Sequence, residues 1–335
     1  MANGVFKDSG VVDDSIGAGL AIWSEQPLAP WLSRAVQESK LELCSIGSQQ
    51  LEVRHSLGQC DRGLTDFRSL SAFSKGIPLL FVGFGSPASR ALISRNHPLL
   101  FTTEPWFGHN PLQGSGAYEI LLPGSPVDGR FNHATEIFEQ SGAPAIAQVT
   151  SLGAVEHGSI LSRIHDAAHF LLRWMGTPDR VSAAIGGDRR HRTRDDQPDA
   201  ASRSFRTWVG SFAITCHYSD GRAGLIMASN QHPNWHRSAL ACGAFGAVRV
   251  DDTSLEWRDP SNAVVDRGSP HLSEWDEGGH PSIAAATLRQ GSATSRSLVP
   301  DQGLICRAFV EAACLSAYTL ESESPSKMVD ILARG

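Results

Sequence analysis

What most limits the fold of this chain is a rhythm in its first hundred residues, where short apolar runs alternate with helix-like segments. AGLAIW (18–23), KLELCSIG (40–47), PLLFVGFG (78–85) and PLLFTTEP (98–105) read as strands, and PLAPWLSRAVQES (27–39), SLSAFSKG (69–76) and SPASRALISRN (86–96) as helices. Apart from KLELCSIG, the strands are apolar at consecutive positions, so both faces of the sheet must be covered, as in a parallel sheet with helices packed on two sides. Pro30 then has to lie in the first turn of its helix, where the missing N–H costs nothing.

Beyond about residue 142 the rhythm changes. APAIAQVTSLG reads as a strand, GSILSRIHDAAHFLLRW (158–174) as a helix, and SFAITCHYSDGRAGLIMASN (211–230) as two strands joined by the turn SDGR. ALACGAFGAVRVDD (239–252) continues the sheet, and GLICRAFVEAACLSAYTLE (303–321) is a long amphipathic helix. Hairpin strands with segregated helices describe an α+β unit with a largely antiparallel open sheet. The expected organisation is a polar leader over 1–17, an α/β, Rossmann-like, doubly wound domain over 18–125, and the α+β domain over 126–335.

At 335 residues the chain is long enough for two such domains to bury their own cores. The net charge of −6 argues against a nucleic-acid surface, which needs a basic excess. The cluster GGDRRHRTRDDQPDAASRSF (186–205) mixes both signs with almost nothing apolar and reads as a solvated loop. Six scattered cysteines without a Cys-x-x-Cys pair fit reduced thiols. The first residues lack the basic start and apolar run of a signal peptide, and no apolar stretch reaches membrane-spanning length, so a cytoplasmic protein is expected, without membrane partners.

The order of these elements, with GSILSRIHDAAHFLLRW followed by MGTPDRVSA, the SDGRAGLIMAS hairpin, ACGAFGAVRV and the closing VEAACLSAYTLESESPSKMVDIL, resembles the Gfo/Idh/MocA family of NAD(P)-dependent oxidoreductases. The resemblance runs from Ala18 to about Leu332. It implies a dinucleotide-binding domain, a substrate cleft beside the quoted helix, and subunit pairing through the open sheet of the second domain.

The resemblance also implies four functional features, and the sequence departs from each. Where a Gly-x-Gly-x-x-Gly turn should follow the first strand, the chain reads WSEQPLAP, which puts Trp23 and Glu25 at glycine positions. Gly17-Ala18-Gly19 precedes that strand, and Gly83-Phe84-Gly85 follows a later one, with Pro87 and Ala88 where a third glycine is needed. Ser48 stands where the second strand should end in an acid for the ribose. The lysine of a Glu-Lys-Pro motif becomes Glu104 in Thr103-Glu104-Pro105, and the only lysines are Lys7, Lys40, Lys75 and Lys327. On the quoted helix, the Asp, His and further acidic positions of the family fall on Arg163, Ala167 and Phe170.

HDAAH within that helix has the i, i+4 spacing of a zinc pair. By helix geometry, however, Arg163 and Phe170 border the apolar arc on one side, and His165 and His169 on the other, roughly 160° to 240° away. The histidines therefore read as surface or edge residues turned from the cleft, and no metal is expected. In NQHPNWHR, Pro233 interrupts any helix joining His232 to His236, and His232 reads as a loop histidine that could border the cleft with Asn230. Trp106, Phe107 and His109 read as further cleft candidates after Glu-Pro; core packing is the plainer alternative.

The leading expectation is a protein of this fold that has lost NAD(P)-dependent hydride transfer and acts as a partner subunit or a binder of a small polar ligand, with no cofactor. It would assemble as a homo-oligomer, or as a heteromer with an intact family member. The alternative is a divergent NAD(P)-dependent oxidoreductase or a cofactor-free enzyme on a small acidic or sugar-like substrate. In the latter case Glu104 would serve as base, Arg163 as anion clamp, Trp106, Phe170, Asn230 and His232 would line the substrate, and His109 would be a further cleft candidate.

Overall fold

A computed structural model describes residues 19–26, 28–48, 63–64, 66–83, 87–97, 99–105, 118–122, 129–187, 205–268, 280–293 and 300–334. The first unit is built on β1 (Gly19–Ser24), β2 (Glu42–Ser48), β3 (Gly63–Leu64), β4 (Leu79–Val82), β5 (Leu99–Thr102) and β6 (Tyr118–Leu121). They form one sheet in the order β3-β2-β1-β4-β5-β6, and every pairing is parallel. This is the order of a doubly wound dinucleotide-binding sheet, in which the chain reverses direction between β1 and β4. Leu79, Leu80, Phe81, Leu99, Leu100 and Phe101 are completely buried, as unbroken apolar strands demand.

Helices α1 (Pro30–Ser39), α2 (Phe67–Phe73) and α3 (Pro87–Asn96) link these strands. Pro30 occupies the first turn of α1, as the sequence requires. Asp66 caps α2 by accepting from the amides of Arg68 and Ser69.

The second unit opens with α4 (Gly129–Ser141), β7 (Ile146–Leu152) and α5 (Ile160–Met175). Strands β8 (Arg180–Gly187), β9 (Gly210–His217), β10 (Ala223–Ser229), β11 (His236–Gly243), β12 (Gly246–Asp251), β13 (Leu255–Arg258) and β14 (Val264–Gly268) complete an eight-stranded sheet ordered β14-β13-β12-β11-β7-β10-β9-β8. Only β7 and β10 run parallel in it. One face carries α5, whose Ile164, Ala168 and Leu171 join Val149, Ile226 and Ala239 in a single core.

Three helices close the chain: α6 (His280–Ala293), α7 (Pro300–Thr319) and α8 (Pro325–Arg334). Helix α7 lies against α5 and β8, whereas α6 crosses back to the first unit, where Ala284, Ala285 and Leu288 pack with Trp31, Leu32 and Leu99. The sequence reading did not foresee that return. Among the described residues, no helix is long and apolar enough to cross a membrane.

Candidate functional site

In an open α/β sheet, ligands enter the crevice at the carboxyl ends of the strands where the strand order reverses. Here those ends are Ser24-Glu25 on β1 and Val82-Gly83 on β4. The Glu25 amide donates to the Val82 carbonyl at 2.8 Å, and the Glu25 side chain lies over Gly83, where an added Cβ would come within 2.7 Å of its carboxylate. The crevice floor thus holds an acid.

Trp23 is not part of that floor, which corrects the sequence reading. Strand β1 runs one residue past Trp23, so the indole points into a sheet face, 1% exposed, and meets Phe67 edge-on at 5.0 Å. Ser48 is buried at the end of β2, paired in register with Ser24.

Helix α1, which should offer amides to a phosphate, offers few. Pro30 at its start has no N–H, and the Leu32 amide donates to the Ala29 carbonyl at 2.9 Å. A pyrophosphate needs glycine backbone and free helix amides. The described residues place a carboxylate and a proline there.

Glu104 follows β5 and is buried. Its carboxylate accepts from the Ser159 amide at 2.9 Å, from the Ser159 hydroxyl, and from the Ser162 hydroxyl at 3.3 Å. Ser159 is the N-cap of α5, so a side chain from the first unit sits at the start of a helix of the second. Burial pushes the Glu104 carboxyl above its ordinary range, against the pull of the Ser159 bonds and the Arg163 charge. The Trp31 indole reinforces this junction, donating to the Glu156 carbonyl at 2.7 Å.

One turn into α5, Arg163 is completely buried. Its Nη2 donates to the His157 carbonyl at 2.8 Å, and its guanidinium lies 4.0 Å over the Trp235 ring. Burial pulls its pKa down to about 10. Beside it Asp166 accepts from the Ser151 hydroxyl at 2.9 Å and lies 3.7 Å from Arg237. Arg237, from β11, is held by Asp252 through its amide at 2.6 Å and Nε at 3.0 Å.

The sequence reading missed Asp166, Arg237, Asp252 and Trp235. A period-two reading of HRSALACG would have found Arg237, because it shares the inward face with the buried Ala239 and Ala241.

Other expectations change. Phe170 is 1% exposed and stacks on Phe131 at 4.1 Å, so it is core and not cleft wall. Asn230 is buried and spends its amide on the Gly210 N–H and the Trp208 carbonyl, which closes the end of the β9–β10 hairpin. His232 lies in a loop, the place the sequence suggests for it, and its ring contacts the Asn234 backbone. His165 and His169 are half-buried at the edge of α5, and burial pushes their pKa values down to about 3 and about 4. Among the described residues no group of three potential ligands could hold a metal ion. Trp106, Phe107 and His109 lie outside the described residues, as does most of the arginine-rich segment.

No protein-family model matches the sequence, and no curated protein matches it either. Solved structures do match its fold. An oxidoreductase from Agrobacterium radiobacter in complex with NAD+, L-tartaric acid and magnesium is 12% identical, covers 92% of this chain and 99% of its own, and has a TM-score of 0.67. The chain has the Gfo/Idh/MocA fold. A myo-inositol 2-dehydrogenase from Lactobacillus plantarum (11% identity, 92% and 99% covered, TM-score 0.62) and an apo scyllo-inositol dehydrogenase from Lactobacillus casei (12%, 92% and 98%, 0.64) have the same two-unit architecture. At such identities the likeness is one of fold.

Proposed function

We propose that this chain keeps the Gfo/Idh/MocA scaffold without nicotinamide-dependent hydride transfer, and serves as a small-ligand binder or as the partner subunit of another protein of this fold. The observation that carries the reading is Glu25 at the sheet reversal, with its carboxylate against Gly83 where phosphate oxygens would have to lie. Like charges in such proximity repel. The second support is Glu104, which stands where the resemblance puts a lysine and is engaged in bonds to Ser159 and Ser162.

Assembly through the open face of the second sheet fits this role. Leu225, Gln148, Leu240 and Arg249 form a cross-strand row on it, next to Met227 and Ile146. Ile146, Met227 and Leu240 are 60%, 43% and 45% exposed, an apolar surface of the kind that subunits cover.

Arg163 favours an acidic ligand over a neutral one, and a solved protein of this fold holds L-tartaric acid together with NAD+. The deciding experiment titrates the purified protein with NADH and with NADPH, reading energy transfer from tryptophan to the nicotinamide. Absence of saturation at micromolar cofactor is expected. Saturable micromolar binding would return the chain to the oxidoreductases.

A further inference from the structure

Among the described residues, Arg163 carries a buried charge that forms no direct ion pair, although Asp166, Glu104 and Asp252 lie close enough for their charges to act on it. Its Nε and Nη1 are shut off from solvent and have no hydrogen-bond partner, while Nη2 reaches one backbone carbonyl. The carboxylates around it are committed elsewhere: Glu104 to Ser159 and Ser162, Asp166 to Ser151, and Asp252 to Arg237. Asp166 and Asp252 instead form ion pairs with Arg237. Buried charges are ordinarily paired, and a well-packed apolar side chain would be more stable in an unpaired one's place.

The position is nonetheless built around the guanidinium. Gly158 has φ 122°, and a Cβ there would come within 2.8 Å of the Ser162 hydroxyl and 3.2 Å of Arg163 Nη2. The backbone thus makes room for the Nη2 bond to His157. Trp235, half-buried in the loop between β10 and β11, covers one face of the guanidinium and leaves its edges to an in-plane partner.

We propose that Arg163 and Trp235 form a site for a small oxyanion, a carboxylate or phosphate group, which binds in the guanidinium plane while the indole stays on its face. Arginine suits this task because its planar fork presents two parallel N–H groups to two oxygens. The inference rests on the ligand-binding reading above and names the ligand class. It stands or falls on different residues from the nicotinamide titration, so the two failures are separable.

The test titrates the full chain with sodium malonate and, separately, with inorganic phosphate at constant ionic strength, following heat and tryptophan fluorescence. Saturable binding of at least one anion is expected, with Arg163→Gln weakening it tenfold or more. Preference for malonate assigns a carboxylate, and preference for phosphate a phosphoryl group. Should Arg163→Gln not fold, Trp235→Phe serves: the fluorescence response should vanish while the calorimetric affinity stays within threefold. The proposal is overturned if neither anion saturates the wild type at millimolar concentration, if Arg163→Gln binds as tightly, or if Trp235→Phe keeps the full fluorescence response.

Discussion

Glu104 links the two units of the fold through a single carboxylate. A lysine at this place would face the amide end of α5, where the helix dipole is positive; the glutamate accepts from the Ser159 amide and ties two units together. Its folded pKa is raised by burial, so protonation favours the native state. The stabilising contribution is fully present below the ordinary carboxylate pKa and is lost as pH rises through the higher folded value. Unfolding Glu104→Gln and the wild type in urea across pH should therefore show the variant gaining relative stability as pH rises. A difference independent of pH would mean that Glu104 titrates normally. Glu104 and Arg163 were visible in the sequence as charges where the resemblance expects their opposites. Asp166, Arg237 and Asp252 were not, because their pairing joins a helix, a strand and a turn far apart in the chain.

At the scale of elements, α5 carries the site. Ser159 caps it, Gly158 admits Arg163, and Gly176 ends it with φ 76°. Replacing Gly158 by Ala combines an unfavourable φ with two close contacts and should cost about 1–3 kcal/mol, measured as a shift in urea midpoint; an unchanged midpoint would show that the turn relaxes freely. The helix itself was plain from its apolar spacing, and so was its histidine-bearing border. Half-burial of His165 and His169 was not, since it depends on α7, whose Arg307 lies beside His165. Strand β1 teaches the same lesson in reverse. Its apolar run was legible, but one further residue of strand turned Trp23 from crevice to core and left Glu25 as the residue at the crevice.

For the whole molecule, the two units are joined by Glu104, by Trp31 bonding Glu156, and by α6 returning to α1. The open sheet face remains apolar at Ile146, Met227 and Leu240. If the wild type assembles through this face as proposed, Leu240→Arg should leave the fold intact, because the side chain is exposed, yet shift the protein to a smaller species in size-exclusion chromatography with light scattering. An unchanged mass for a multimeric wild type would place its interface elsewhere.

Local order sufficed for the architecture: strands apolar on consecutive positions must be covered on both faces, and alternating ones on one, so the two kinds of sheet could be read from the chain alone. Which polar groups meet was decided only by tertiary structure. A carboxylate after β5 and a hydroxyl at the start of α5 are 55 residues apart, and nothing in either segment encodes their contact. The same holds for Arg163: its charge is written in the sequence, but its burial with Nε and Nη1 left without hydrogen bonds is a property of the packed surroundings.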